Sequence, residues 1–304
     1  MSTVKAMDTP SPSSQAAQQD ASIKDFWQLL KPRVMSLVVF SGFVGLWIAP
    51  GREEMHPVLA LISILCLAVG AGASGAINMW YDRDIDSVMK RTKNRPIPVG
   101  RILPSDALGF ALVLSALSIT VLALATNYMA AGVLAFASFF YAVIYTMLLK
   151  RSTAQNIVIG GAAGAFPPVV GWVSVTGQLD PMAFWLFMII FLWTPPHFWA
   201  LALVSNEDYK KAKIPMMPLV AGDQSTRVQM LIYTLVLLAA SLVPWFMGYA
   251  GAIYGVSALV LGSLFTISSI KVLLDKSDKA AKLMFGYSIL YLFLIFFALM
   301  VDHG

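Results

Sequence analysis

Cys66 is the only cysteine in 304 residues, which excludes an intramolecular disulfide and a cysteine-ligated zinc site. Charge is scarce as well. Asp, Glu, Lys and Arg together make up 12% of the chain against 58% hydrophobic residues, a balance that excludes an ordinary soluble domain and marks an integral membrane protein. The first 22 residues are rich in Ser, Gln, Ala and Asp and lack the compact apolar core of a signal peptide. They read as a disordered cytoplasmic tail ahead of a single domain over residues 23–304. No basic stripe is interleaved with stacking aromatics. The formal net charge of +5 therefore reflects topology and contact with anionic membrane lipid, and no nucleic-acid partner is expected.

What the chain has in abundance is apolar runs long enough to cross a hydrocarbon core. They cover about residues 29–49, 57–79, 104–126, 128–149, 154–175, 181–205, 227–248, 250–274 and 281–301. The expected fold is all-α: a polytopic membrane protein of about nine transmembrane helices around a central chamber. Gly160, Gly161, Gly164, Pro167 and Pro168 interrupt the fifth run, and the glycines read as close-packing positions. With nine spans, all but one of the 21 basic residues fall on the side that carries the N-terminus, and the exception is Arg52. By the positive-inside rule the N-terminus is cytoplasmic and the C-terminus external. One span more or fewer near the middle would destroy that asymmetry, so it checks the count independently.

Two polar loops on the basic side stand out, after the second and sixth spans. The first opens with Asn78-Met79-Trp80-Tyr81-Asp82-Arg83-Asp84-Ile85-Asp86 and continues through Lys90, Arg91, Lys93, Arg95 and Arg101. If the helix continues, Asn78, Asp82 and Asp86 at i, i+4 and i+8 share one face. Oxygen ligands in such a sparse cluster suit magnesium, which takes one or two protein carboxylates and completes its shell with water and substrate phosphate. A diphosphate is the leading ligand. The second loop, Ser205-Asn206-Glu207-Asp208-Tyr209-Lys210-Lys211-Ala212-Lys213, repeats acids followed by bases. The four-span separation reads as a degenerate internal duplication with a shared site between the halves. Asp208 is a further candidate metal ligand, with Glu207 the weaker member of the pair.

His197 lies well inside the sixth span, where an ionisable side chain needs a partner or a task. It follows Pro195-Pro196, which are expected to loosen the backbone and open the helix toward an internal cavity. On a continuous helix its eleven-residue distance from Asp208 is three turns plus about 20°, with depths differing by about 16 Å. Iron ligation, proton transfer and a purely structural bond to a neighbouring helix all remain open for it.

The Asn78-x3-Asp82-x3-Asp86 pattern resembles the UbiA-type intramembrane prenyltransferase superfamily over about residues 24–300. Lys31-Pro32-Arg33 and Arg91-Thr92-Lys93-Asn94-Arg95-Pro96-Ile97-Pro98 fit the same resemblance. Thr194-Pro195-Pro196-His197-Phe198-Trp199 and the Glu207-Asp208-Tyr209 to Ile214-Pro215-Met216-Met217-Pro218 segment are similar to the branch that prenylates haem. Ser205 and Tyr209 stand where quinone-type members usually carry carboxylates, so two symmetric magnesium sites are not expected.

The resemblance implies a UbiA-type fold and a farnesyl transfer from farnesyl diphosphate to the 2-vinyl group of haem b, with water addition giving haem O. It implies catalytic roles for Asn78, Asp82, Asp86 and His197. Magnesium would be held by Asp82, Asp86, Asn78 and Asp208, and diphosphate by Arg91, Arg95, Lys210, Lys211 and Lys213. His197 would position haem b, a substrate rather than a cofactor, through iron, or handle the proton of the added water. The protein would work in a bacterial-type cytoplasmic membrane, with a downstream haem-modifying or oxidase-assembly protein as a further partner. The competing readings are a prenyltransferase for an aromatic quinone precursor and a secondary transporter. Short, nearly uncharged external loops and acids clustered on one side count against the transporter.

Overall fold

In the computed structural model residues 21–303 are described, so the expected tail lies outside the described residues apart from Ala21 and Ser22. Every element among them is helical. Ser22 opens the first helix, α1 (Ile23–Leu29), with a capping box, its hydroxyl accepting from the Asp25 N–H while the Asp25 carboxylate returns to the Ser22 backbone. Lys31 then adopts left-handed backbone angles, φ 51° and ψ 55°, and the chain turns by 53° into α2 (Pro32–Trp47).

The order continues with α3 (Pro57–Tyr81), α4 (Arg83–Val88), α5 (Pro104–Ala125) and α6 (Tyr128–Leu149), followed by α7 (Asn156–Ala165), α8 (Pro167–Thr176) and α9 (Pro181–Val204). Then come the short α10 (Asn206–Lys211) and α11 (Met217–Ala221), and the long α12 (Asp223–Phe246), α13 (Ala252–Asp275) and α14 (Asp278–Asp302). Proline at the first turn starts α2, α3, α5, α8 and α9, where its missing N–H would have had no helical partner. Among the described residues eight spans are long and apolar enough to cross a membrane, and the bent α1–α2 pair makes nine. That matches the sequence expectation span for span.

The expected interruption of the fifth span falls at Phe166, between α7 and α8, which together make one span with 72% of its most apolar stretch buried; α9 follows at 67%, against 22–44% for the other six unbent spans. These two are the inner pillars of the bundle. The double proline does not open α9, which runs unbroken through Pro195 and Pro196. α9 packs there against α7, α12 and α14, whose contacts support a helix that the two prolines would weaken in isolation. The short helices α4 and α10 follow the second and sixth spans, where the two polar loops were expected.

Small residues let backbones touch. A Cβ on Gly171 of α8 would fall 1.9 Å from the Gly42 carbonyl oxygen of α2, and one on Gly160 would fall 2.1 Å from the Tyr145 ring. Gly161 likewise faces Thr194 of α9, whereas Gly164 has open space around it. Replacing Gly171 by Val is therefore expected to force α2 and α8 apart and to destabilise the bundle by about 1–3 kcal/mol. Thermal unfolding in detergent should show the lowered midpoint, while Gly164→Ala should leave it unchanged.

Candidate active site

Helix α3 ends at Tyr81, yet its hydrogen-bond register does not. The Asp82 N–H donates to the Asn78 carbonyl at 2.9 Å and the Asp86 N–H to the Asp82 carbonyl at 2.8 Å. The i, i+4, i+8 relation thus survives the passage from α3 into α4, and Asn78, Asp82 and Asp86 are all buried, at 5%, 0% and 2% exposure.

Buried carboxylates demand partners, and these come from three parts of the chain. Lys150, just after α6, pairs with Asp82 Oδ2. Arg151 reaches Asp82 Oδ1 at 3.4 Å and Asp84 at 2.8 Å, and its guanidinium holds the Asp84 carboxyl below the usual carboxylate range. Arg95 pairs with Asp86 at 2.6 Å. Asn78 Nδ2 donates to Asp82 Oδ2 at 2.8 Å and to Thr146 Oγ1 at 3.1 Å, while its Oδ1 accepts from Lys31 Nζ at 2.8 Å. Lys31 also sits 5.9 Å above the Tyr141 ring. A lysine in the left-handed region directly before proline is a strained position, and its polar contact with Asn78 accounts for it.

The second half of α6, Phe140–Leu149, is a π-helix. Its wider turn is visible in the Lys150 N–H donating to the Tyr145 carbonyl at 2.8 Å and the Thr146 hydroxyl donating to the Tyr141 carbonyl at 2.8 Å. The same segment stacks Tyr141 on Tyr145, centroids 5.6 Å apart and planes at 14°. Asn156 ties the site to the second polar loop, its Nδ2 lying 3.3 Å from the Lys150 carbonyl and 3.4 Å from that of Pro215.

The residues expected in that loop are arranged differently from those in the first. Glu207, Lys210, Lys211 and Lys213 are exposed and Asp208 is half-buried. Glu207, Lys210 and Lys213 line an open groove of about 470 Å³ with Asn206, Ile214, Pro215 and Leu219. Lys31 borders a second groove, of about 340 Å³, with Gln28, Pro32, Arg33 and Val34. Exposed Arg91 lies beside buried Tyr209 of α10; burial pushes that phenol above its usual value and the guanidinium pulls it back. Arg91 therefore joins the two loops. No three acids, histidines or cysteines gather among the described residues to hold a metal, so Asp208 and Glu207 do not form such a group with Asp82 and Asp86. Asp82 and Asp86 are hard-oxygen donors of the kind magnesium takes alongside phosphate, and here their oxygens are matched by Lys150, Arg151 and Arg95 while the Asn78 amide oxygen is matched by Lys31.

His197 is 8% exposed. Its ring lies between Trp193, at 4.2 Å and 19°, and Phe285, at 4.7 Å and 23°, with Phe198 edge-on at 5.0 Å. Nδ1 contacts Ser288 Oγ of α14 at 2.6 Å. A one-residue break at Ser205 separates α9 from α10, and as at Asp82 the hydrogen bonding crosses it, the Ser205 N–H donating to the Leu201 carbonyl at 3.0 Å and the Tyr209 N–H to the Ser205 carbonyl at 3.3 Å.

A family model described as the UbiA prenyltransferase family matches residues 38–299. The chain belongs to that family. It is 57% identical over 291 residues to the protoheme IX farnesyltransferase of Granulibacter bethesdensis, covering 93% of this chain and 91% of that one. The protoheme IX farnesyltransferase of Agrobacterium fabrum is 58% identical over 288 residues, covering 93% and 90%. Two solved structures share the fold at 17% identity. A digeranylgeranylglyceryl phosphate synthase has a TM-score of 0.77 over 92% of this chain and 98% of its own. A UbiA homologue from Archaeoglobus fulgidus bound to DMAPP and Mg2+ has a TM-score of 0.63 over 90% and 99%.

Lys150, Arg151 and Thr146 escaped the sequence reading. A basic pair at the end of an apolar run looks like any topology anchor, and only the long-range contact with Asp82 distinguishes it. Asp82 and Asp84 should separate on mutation. Asp82→Asn leaves Lys150 without its buried partner and is expected to cut turnover about 10²–10³-fold, whereas Asp84→Asn, on an exposed ion pair, should stay within about threefold. Steady-state rates of the two purified variants check this.

Proposed function

We infer that the chain is an intramembrane prenyltransferase that moves a farnesyl group from farnesyl diphosphate to the 2-vinyl group of haem b, giving haem O and diphosphate. The acceptor rests on one observation: 57% identity along nearly the whole of both chains to a protein called protoheme IX farnesyltransferase. The chemistry fits the buried Asn78-Asp82-Asp86 ladder and the cations converging on it.

Asp82 and Asp86, with Asn78 aligned by Lys31 and Thr146, are the residues that would hold magnesium, which when bound supplies positive charge to the departing diphosphate. Arg95, Lys150 and Arg151 compensate the two carboxylates and stand within reach of the polyanion that shares them. Exposed Arg91, Lys210, Lys211 and Lys213 draw it to the mouth of the site. Cleavage of the C1–O bond leaves an allylic cation, and the stacked Tyr141 and Tyr145 rings give it a wall poor in water. The vinyl π electrons form the new carbon–carbon bond to C1. Positive charge then rests on the carbon beside the porphyrin ring, where water adds and loses a proton to give the hydroxyethylfarnesyl group. His197, set between aromatic faces in α9, is the side chain assigned to haem.

The uneven distribution of basic residues supports an N-terminus on the cytoplasmic side of a bacterial inner membrane, with the diphosphate site on that same side. The deciding experiment supplies purified protein in detergent with haem b, farnesyl diphosphate and magnesium and reads the products by mass spectrometry. Hydroxyethylfarnesyl haem is expected only with metal present and Asp82 intact; chelation or Asp82→Ala should abolish it. Prenylation of an aromatic acid with no haem product would replace the haem acceptor with a quinone precursor.

A further inference from the structure

The contacts around His197 fix which ring nitrogen carries the proton. Nδ1 lies 2.6 Å from Ser288 Oγ, and the same Oγ lies 2.6 Å from the Phe285 carbonyl oxygen. Each of these short contacts needs a hydrogen between its atoms, and the serine hydroxyl has one to give. A carbonyl oxygen has none, so the hydroxyl proton points to Phe285. The remaining contact is closed only by a proton on Nδ1. The opposite assignment, with Oγ–H donating to Nδ1, leaves lone pairs of two oxygens facing each other at 2.6 Å.

The positions of the groups in this chain are held independently. Trp193 Nε1 donates to the Ser288 carbonyl at 2.7 Å, pinning that turn of α14 to α9. Ser288 is 0% exposed, so no solvent competes for its hydroxyl. Stacking between Trp193 and Phe285 fixes the plane of the imidazole. Nε2 has no hydrogen-bond partner among the described residues, and no carboxylate pairs with the ring. An imidazolium would carry its second proton at Nε2 with nothing to receive it.

We propose that Ser288 is a positioning residue that holds His197 as the Nδ1–H tautomer, leaving the Nε2 lone pair to bind the iron of haem b. A histidine that ligates a metal characteristically donates its other ring N–H to a fixed acceptor, which sets the tautomer and the ring orientation. Here the acceptor is a hydroxyl on the facing helix, itself oriented by the carbonyl one turn back. The same lone pair rules out His197 as a proton donor in the resting protein. The inference rests on haem b being the acceptor substrate.

Haem b titrated into the detergent-solubilised full chain tests it, read by absorption spectroscopy with farnesyl diphosphate kinetics in parallel. Wild type should show the spectrum of a histidine-ligated haem, and His197→Ala should lose it. Ser288→Ala should weaken haem binding about tenfold and shift the spectrum toward a form without nitrogen ligation. Its KM for farnesyl diphosphate should be unchanged, which shows that the variant is folded. Ser288→Thr, which keeps the hydroxyl, should restore both haem signals. A wild-type haem spectrum in His197→Ala overturns iron ligation, and wild-type haem binding and spectrum in Ser288→Ala overturns the positioning role. Histidine-ligated haem binding by a wild-type protein that farnesylates no haem would instead overturn the proposed reaction while leaving this inference standing.

Discussion

The burial of Asp82 is the constraint around which the loop-side end of the bundle is organised. A carboxylate at 0% exposure is unstable without compensation, and the desolvation cost is recovered only by close, well-directed partners. Lys150 meets it from the end of α6, Arg151 shares it with Asp84, and Asn78 holds it from the preceding turn. Asn78 is in turn fixed by Lys31 at the α1–α2 bend and by Thr146. Two local oddities of the backbone, the left-handed Lys31 and the π-helical end of α6, both deliver a side chain to this one network. Removal of any member exposes the others' need for charge, so the network behaves as a unit.

The division of labour between the two polar loops follows from the same constraint. The first loop contributes buried acids and the cations that match them; the second contributes exposed lysines, half-buried Asp208 and the aromatic Tyr209 that Arg91 reaches. The two loops thus occupy similar places after their spans while carrying different chemistry, buried ion pairs in one and exposed charge in the other.

Helical periodicity and hydrophobic length are local properties, which is why the nine spans and the Asn78-Asp82-Asp86 face could be read from the sequence. That face persists because hydrogen bonding crosses the α3–α4 junction even though the helix assignment does not. The partners of the ladder were not legible for the opposite reason. Lys150 is separated from Asp82 by 68 residues, and nothing within its own segment points to that contact. The uninterrupted helix of α9 through Pro195-Pro196 differs from the local expectation because helices packed around it supply support that the sequence segment alone does not show. His197 was singled out by its cost in a membrane, but its contact with Ser288, 91 residues away, belongs to the folded state alone.

The π-helix at Phe140–Leu149 gives the end of α6 an unusual tolerance of chain length. A π turn accommodates one residue more than an α turn between hydrogen-bonded groups. Losing a single residue from this segment would let one turn tighten into ordinary α-helix while the chain beyond it kept nearly the same direction around the axis. Lys150 would then still face Asp82, whereas an equal loss that left the winding unchanged would swing it by about 100°. The wide turn is thus a one-residue reserve that uncouples the length of this stretch from the aim of the side chain that follows it.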